Sequence, residues 1–158
     1  YRNTNASKKV LILDCDNTLW GGVVGELGWK NIKLGEEGVG SAYREFQKEI
    51  KTMTKKGILI GLCSKNNEQD VWETFKKNNY FSLKKNDFTF SKINWIEKST
   101  NILEIAKELN LGLDSFVFWD DNPLERDKMR TLLPQVSTIE VPKNVWEWPS
   151  KLRKLDSA

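Results

Sequence analysis

Four apolar residues, Val10-Leu11-Ile12-Leu13, run without interruption into Asp14-Cys15-Asp16. A short apolar run bounded by polar residues reads as a strand buried on both faces, the kind found in parallel sheets. Open α/β sheets bind their ligands beyond the carboxyl ends of such strands, so this strand end marks the expected site. Two carboxylates one residue apart repel each other at neutral pH. A fold that keeps them needs a cation nearby, most simply Mg²⁺. The thiol between them requires an account of its own.

Beyond this point strand-like and helix-like segments alternate, which predicts an α/β fold with a parallel sheet covered on both faces. The first strand spans Lys9 to Asp14. Residues Gly21 to Gly40 hold seven of the ten glycines, which predicts a flexible hairpin or flap rather than core structure. Helical spacing runs from Val39 through Tyr43, Phe46, Ile50 and Met53 and stops at Gly57. A second buried strand, Ile58 to Cys63, ends at Ser64-Lys65-Asn66-Asn67, whose asparagines are expected to cap a helix with Val71, Trp72 and Phe75 on its apolar face. Phe88 to Ile93 alternates as a third strand. A helix follows Trp95, with Ile102, Ile105 and Leu109 on one face. Phe116 to Trp119 is the fourth strand, and it too runs into paired acids, Asp120-Asp121. A helix from Pro123 to Leu132, a fifth strand near Ser137 to Val141 and a final amphipathic helix carrying Val145, Trp148, Leu152 and Leu155 complete the order.

The chain has 158 residues, enough for one domain with a substantial core. With no histidine, Ser-His-Asp and Cys-His catalysis, His-ligated zinc and His general bases are all excluded. Carboxylates, lysines, hydroxyls and thiols remain. A net charge of +3, evenly scattered, favours anionic partners, either phosphorylated metabolites or an acidic protein surface, without arguing for nucleic acid. No apolar run is long enough to span a membrane, and the polar opening Tyr1-Arg2-Asn3-Thr4-Asn5 does not read as a signal peptide. Without an initiating Met, residues 1–158 are expected to be a single domain taken from a larger polypeptide. Cys15 and Cys63 end apolar runs, a poor pattern for a disulfide framework and a better one for a reducing, cytoplasmic setting.

In a parallel sheet the strand ends lie on one edge, so Asp14 and Asp16, Ser64, and Asp120 with Asp121 can converge. A phosphate substrate calls for a lysine as well. Lys98, opening the helix after the third strand, is the first candidate and Lys92 the second.

This order resembles the haloacid dehalogenase superfamily of phosphotransferases: Asp-x-Asp-x-Thr, a strand-end Ser or Thr, a Lys, then a paired acidic motif. The resemblance covers nearly the whole chain. It implies a three-layer, Rossmann-like sandwich around a five-stranded parallel sheet. Only the glycine-rich flap stands between the first two motifs, so no large cap is expected. The text around the motifs narrows the likeness. Asp14-Cys15-Asp16-Asn17-Thr18-Leu19-Trp20-Gly21-Gly22, Ser64-Lys65-Asn66-Asn67, Asn94-Trp95 before Lys98, and Asp120-Asp121-Asn122-Pro123-Leu124-Glu125-Arg126 resemble the FkbH-like branch. That branch loads a glyceryl unit from 1,3-bisphosphoglycerate onto an acyl carrier protein in polyketide assembly.

The resemblance implies a role for each matching residue. Asp14 would ligate Mg²⁺ and stand where the phosphatase nucleophile stands. Asp16 would give its backbone carbonyl to the metal and its side chain as general acid or base. Asp120 would bind the metal directly and Asp121 through water. Ser64 and Lys98 would hold phosphate oxygens. In the glyceryl transfer, Cys15 would attack C1 of bisphosphoglycerate and expel its phosphate to form a thioester, the remaining phosphate would be removed using Asp14, and the carrier's phosphopantetheine thiol would displace the glyceryl group from Cys15. Strand alternation offers the opposite reading, in which Cys15 faces the core as a small hydrophobe. Lys65 and Asn66 are candidates to line the phosphate site or to be solvated. Trp20 is the candidate for substrate or pantetheine contact, and Arg126 is a further candidate to line the site, with an intrahelical or surface ion pair as its favoured role. Two rival functions remain: a capless phosphatase using Asp14 on a phosphoprotein or sugar phosphate, and a catalytically idle docking module.

Overall fold

The structure is a computed structural model that describes residues 9–156. The polar opening Tyr1-Arg2-Asn3-Thr4-Asn5 lies outside the described residues. The elements follow the expected alternation: β1 (Val10–Leu13), α1 (Val24–Leu27), α2 (Gly38–Lys55), β2 (Leu59–Ser64), α3 (Glu68–Lys77), β3 (Phe90–Ile93), α4 (Lys98–Leu109), β4 (Phe116–Trp119), α5 (Pro123–Leu132), β5 (Ser137–Thr138) and α6 (Trp148–Asp156). All strand pairs are parallel, in the order β3-β2-β1-β4-β5. After three strands built outward in one direction, the chain returns to place β4 on the other side of β1. The crevice between the carboxyl ends of β1 and β4 is therefore the topological switch point, where sheets of this kind bind ligands.

Alternate residues of the central strands feed two separate cores. Leu11, Leu13, Ile60, Leu62, Val117 and Trp119 face the layer formed by α2, α3 and α6, against Phe46, Ile50, Phe75 and Leu152. Val10, Ile12, Phe116 and Phe118 face the layer of α4 and α5, against Ile102, Ile105 and Met129. Strands buried on both faces explain why β1 and β4 are apolar at every position. In the larger core Phe46 lies 5.0 Å from Trp119 and 5.1 Å from Trp148, ring centre to ring centre. Such aromatic pairs contribute about 0.5–1.5 kcal/mol each beyond the area they bury. Gly61 of β2 makes room for the facing ring of Phe90, because a Cβ there would lie 2.1 Å from its tip.

Local signals mostly act as expected. The Asn122 side chain accepts from the Leu124 N–H, and Pro123 occupies the first turn of α5. Gly57, at φ 93°, follows α2. Three expectations need correction. The asparagines before α3 do not cap it through their side chains. β3 and β5 are shorter than their alternating patterns, although single hydrogen bonds extend the pairing from the Thr89 N–H to the Ile60 carbonyl at 2.8 Å and from the Ile139 N–H to the Phe118 carbonyl at 3.0 Å. The glycine-rich segment forms a hairpin closed by paired hydrogen bonds between Gly21 and Lys33, at 2.9 and 2.8 Å. It is not a free flap, since Val24, Ile32 and Leu34 are buried in the larger core. Among the described residues no helix is long and apolar enough to cross a membrane.

Candidate active site

β1 ends at Leu13, and the chain turns at once: the Cys15 carbonyl accepts from the Thr18 and Leu19 N–H groups, with Asn17 in the left-handed region at φ 58°. This turn leaves the Asp14 carboxylate at the switch point, opposite Asp120 and Asp121 at the end of β4. Carboxylate oxygens of Asp14, Asp120 and Asp121 all lie within 4.8 Å of one another. Lys98, the first residue of α4, brings its ammonium between two of them, 3.4 Å from Asp14 Oδ2 and 2.5 Å from Asp120 Oδ2. Lys98 and Asp120 are buried. A lysine at a helix start opposes the helix dipole, and these carboxylates are the local reason for it.

The electrostatics of the cluster call for a further positive charge. Burial, then the charges of Asp14 and Asp120, push the Asp121 carboxyl up to about 7. Asp120 is shifted upward as well, first by burial and then by Asp14. Burial alone would lower Lys98, but Asp14 and Asp120 raise it, so its ammonium stays charged. Three carboxylates against one ammonium leave two negative charges, and every donor is a hard carboxylate oxygen. That set fits a divalent hard cation such as Mg²⁺ and suits zinc or copper poorly.

Asp16 stands apart from this cluster. Its Oδ1 accepts from the Trp20 indole N–H at 3.1 Å and the Val24 N–H at 2.9 Å, and its Oδ2 accepts from the Asn66 amide at 2.9 Å. Burial nevertheless raises its carboxyl from its ordinary value. Asn66 thus orients Asp16 instead of capping α3. Trp20 is fully buried against Phe75 and Phe81, which removes it from the expected substrate contact. Lys65 is also turned away from phosphate duty, its ammonium held by Glu97 at 3.0 Å and Glu125 at 3.2 Å. Lys92 pairs with Glu104 and Glu108 on the surface. Ser64 is buried beside the Cys15 thiol, whose upward shift its side chain partly offsets.

Cys15 follows the strand alternation into the larger core and has no exposed surface. Burial first and the Asp14 charge second raise its thiol well above its ordinary range. A buried thiol beside carboxylates is a poor nucleophile, so this conformation goes against the expectation of an exposed catalytic cysteine. Cys63 is buried on the opposite face of the sheet.

Two residues of the site have partners that the sequence did not indicate. The Thr18 hydroxyl donates to Asp121 Oδ1 at 3.2 Å. Arg126, expected on the surface, is buried, and its guanidinium donates to the main-chain carbonyls of both Asp120 and Asp121 at 3.0 Å. It also lies 3.6 Å from Glu140. The one available signal was its place in the first turn of α5, where an arginine opposes the dipole.

No protein-family model matches the chain, and no curated protein is significantly similar to it. Among solved structures, the N-terminal part of the protein BF1531 from Bacteroides fragilis, which contains a phosphatase domain and was complexed with Mg, matches at 45% identity with a TM-score of 0.89. The match covers 94% of this chain and 40% of that one, so the chain spans well under half of that protein. The 3-deoxy-D-manno-octulosonate 8-phosphate phosphatase from Moraxella catarrhalis, in complex with magnesium, phosphate and KDO, matches at 14% identity and TM-score 0.53, over 88% of this chain and 72% of that one. A hypothetical protein from Xanthomonas campestris matches at 13% identity and TM-score 0.54, over 97% and 85% of the two chains. The last two share the fold alone. The structural neighbours include haloacid dehalogenase superfamily phosphatases, and the five-stranded parallel sheet is of their type.

Proposed function

We propose that the chain is a Mg²⁺-dependent phosphatase domain of the haloacid dehalogenase superfamily, with Asp14 as its nucleophile. One observation carries this reading: Asp14, Asp120 and Asp121 converge at the switch point with the Lys98 ammonium between the first two. The 45% identity to a Mg-complexed phosphatase domain supports it.

Asp14, Asp120 and Asp121 would hold the metal, which would screen the phosphate charges and polarise a phosphoryl oxygen. Asp14 Oδ1 accepts from the Cys15 N–H at 2.7 Å, which fixes the carboxylate plane. An Asp14 oxygen attacks phosphorus as the ester oxygen leaves, and the resulting aspartyl phosphate retains the phosphoryl group. Lys98 offsets the negative charge on the equatorial oxygens. Asp16 gives its proton to the departing alkoxide, then accepts one from the water that attacks the aspartyl phosphate and releases inorganic phosphate. Asn66, Trp20 and the Val24 N–H hold Asp16 in place through both steps.

The second reading is glyceryl transfer from 1,3-bisphosphoglycerate to an acyl carrier protein through a Cys15 thioester. The nearness of Cys15 to the strand-end side chain of Ser64, which partly offsets the upward shift of the thiol, supports it. Its route requires the turn at residues 15–18 to open, because the thiol has no exposed surface. Intact-mass analysis after incubation with Mg²⁺ and bisphosphoglycerate separates the two. A phosphate adduct mapped to Asp14, with turnover kept in Cys15→Ala, supports the phosphatase; a glyceryl adduct that Cys15→Ala abolishes supports the transferase.

A further inference from the structure

The outer face of α3 and the turn at Lys85–Asp87 enclose a cavity of about 320 Å³, lined by Trp72, Phe75, Lys76, Lys84 and Lys85. Trp72 and Phe75 form an aromatic floor with ring centres 5.0 Å apart, and the Lys85 ammonium stands 4.8 Å from the centre of the Trp72 ring. All three lysines are exposed. None has a carboxylate partner among the described residues, because the acids nearby are engaged. Glu73 is held by Lys77 at 3.2 Å, Asp87 by Lys51 at 2.7 Å, and Glu68 accepts from the Trp72 indole N–H at 3.4 Å. The cavity also lies away from the reacting groups. α3 starts just beyond Ser64 and runs back against the strand direction, and the chain then enters β3 from its amino end. Trp72, Lys76 and Lys84 therefore sit towards the opposite edge of the sheet from Asp14 and Asp120.

We propose that this cavity docks an acidic protein segment that carries one bulky apolar side chain, which enters over Trp72 and Phe75 while its flanking carboxylates meet Lys76, Lys84 and Lys85. The chemistry of the lining selects this occupant. Aromatic rings in a concave site are the usual seat of an apolar anchor, and three uncompensated ammonium groups around it are complementary to negative charge on both sides of that anchor. Lys85 covers the Trp72 ring where a base would stack, which favours a protein segment over a single-stranded nucleic acid. The inference goes beyond both functional readings and rests on neither. A partner held at this edge leaves the reacting edge open and brings no group to Asp14, so it anchors the domain without delivering a substrate.

The probe is a fluorescein-labelled peptide with three glutamates on each side of one phenylalanine, titrated with the protein at low salt and followed by anisotropy. Saturable binding is expected, and the same peptide with alanine in place of phenylalanine binds at least about tenfold more weakly. Lys84→Glu with Lys85→Glu weakens binding at least about tenfold. Lys107→Glu, at an exposed position of α4 across the sheet, leaves the Kd within about twofold. Should the double reversal lower the melting temperature, Lys84→Gln with Lys85→Gln replaces it, and the same direction is expected. The absence of saturable binding, equal affinity for the two peptides, or equal weakening by Lys107→Glu overturns the proposal. A labelled oligothymidylate that binds more tightly than the peptide, and is lost in the Lys84 and Lys85 variant, overturns it in favour of nucleic acid. Hydrolysis of p-nitrophenyl phosphate is unchanged in these variants whichever result is found, so the functional readings stand or fall separately.

Discussion

The Lys98 ammonium sits 2.5 Å from Asp120 Oδ2 and 3.4 Å from Asp14 Oδ2, so one buried cation joins the loops that follow β1 and β4. Removing one partner of such a group leaves uncompensated buried charge, at a cost of about 3–5 kcal/mol. Lys98→Met is expected to lower the melting temperature of the metal-free protein sharply. Mg²⁺ restores much of the loss, while phosphatase activity stays at least about 100-fold down. Thermal melts with and without Mg²⁺, beside single-turnover assays, check both parts.

The stability of the metal-free protein depends on pH with a definite sign. Asp121 titrates at about 7 in the fold against 3.8 for the free side chain. Between those values the folded state binds more protons than the unfolded one, so stability falls as pH rises through that window. After solvent screening the effect is on the order of 1–2 kcal/mol. Melting in EDTA is expected to be higher near pH 5 than near pH 7.5, and Mg²⁺ removes the difference at the upper end. A flat profile in EDTA shows that the carboxylates do not interact as described.

Cys15→Ala and Asp14→Asn separate packing from chemistry. Cys15 contributes buried volume, and its replacement costs about 1 kcal/mol of stability with hydrolysis of p-nitrophenyl phosphate kept. Asp14→Asn abolishes hydrolysis and the phosphoenzyme together. Loss of hydrolysis in folded Cys15→Ala shows that the thiol takes part in the reaction.

Arg126 acts through the main chain of the two acids and is a positioning residue. Supporting residues of this kind change metal affinity by about 10–100-fold. Arg126→Met is expected to raise the Kd for Mg²⁺ accordingly, measured by calorimetry, with a smaller loss in Arg126→Lys. Unchanged affinity in a folded variant leaves Arg126 as packing between α5 and Glu140.

The parts of this molecule that depend on local composition were legible in its sequence. β4 and α5 have the bounds that their apolar run, Asn122 and Pro123 indicate, because those signals act within a few residues. The convergence of Asp14 and Asp120 followed from parallel topology, which puts all strand ends on one edge, and Lys98 from the lysine that a phosphate site requires. The partners of Lys65, Asn66 and Trp20 were not legible for the opposite reason. Each is a polar-tipped side chain in a motif, and its partner is chosen by three-dimensional approach: Glu125 for Lys65, Asp16 for the other two. Nothing near Arg126 in the chain distinguishes a donor to main-chain carbonyls from a surface ion pair. Cys15 is instructive in another way, since simple alternation from Leu11 and Leu13 already pointed it inward.

The strand order gives the site a mechanical setting. β1 and β4 each have a paired neighbour on both sides, whereas β3 and β5 form the edges. Fluctuations that begin at an edge must dismantle β5 or β3 before they reach the strands that carry the reacting groups. In amide exchange, deuterium therefore enters at Ser137 and Thr138 long before Ile12, Leu13 or Phe118. The loops holding Asp14 and Asp120 are thus mounted on the slowest-exchanging ground of the molecule. A chain that frays at its rim keeps its carboxylates aligned.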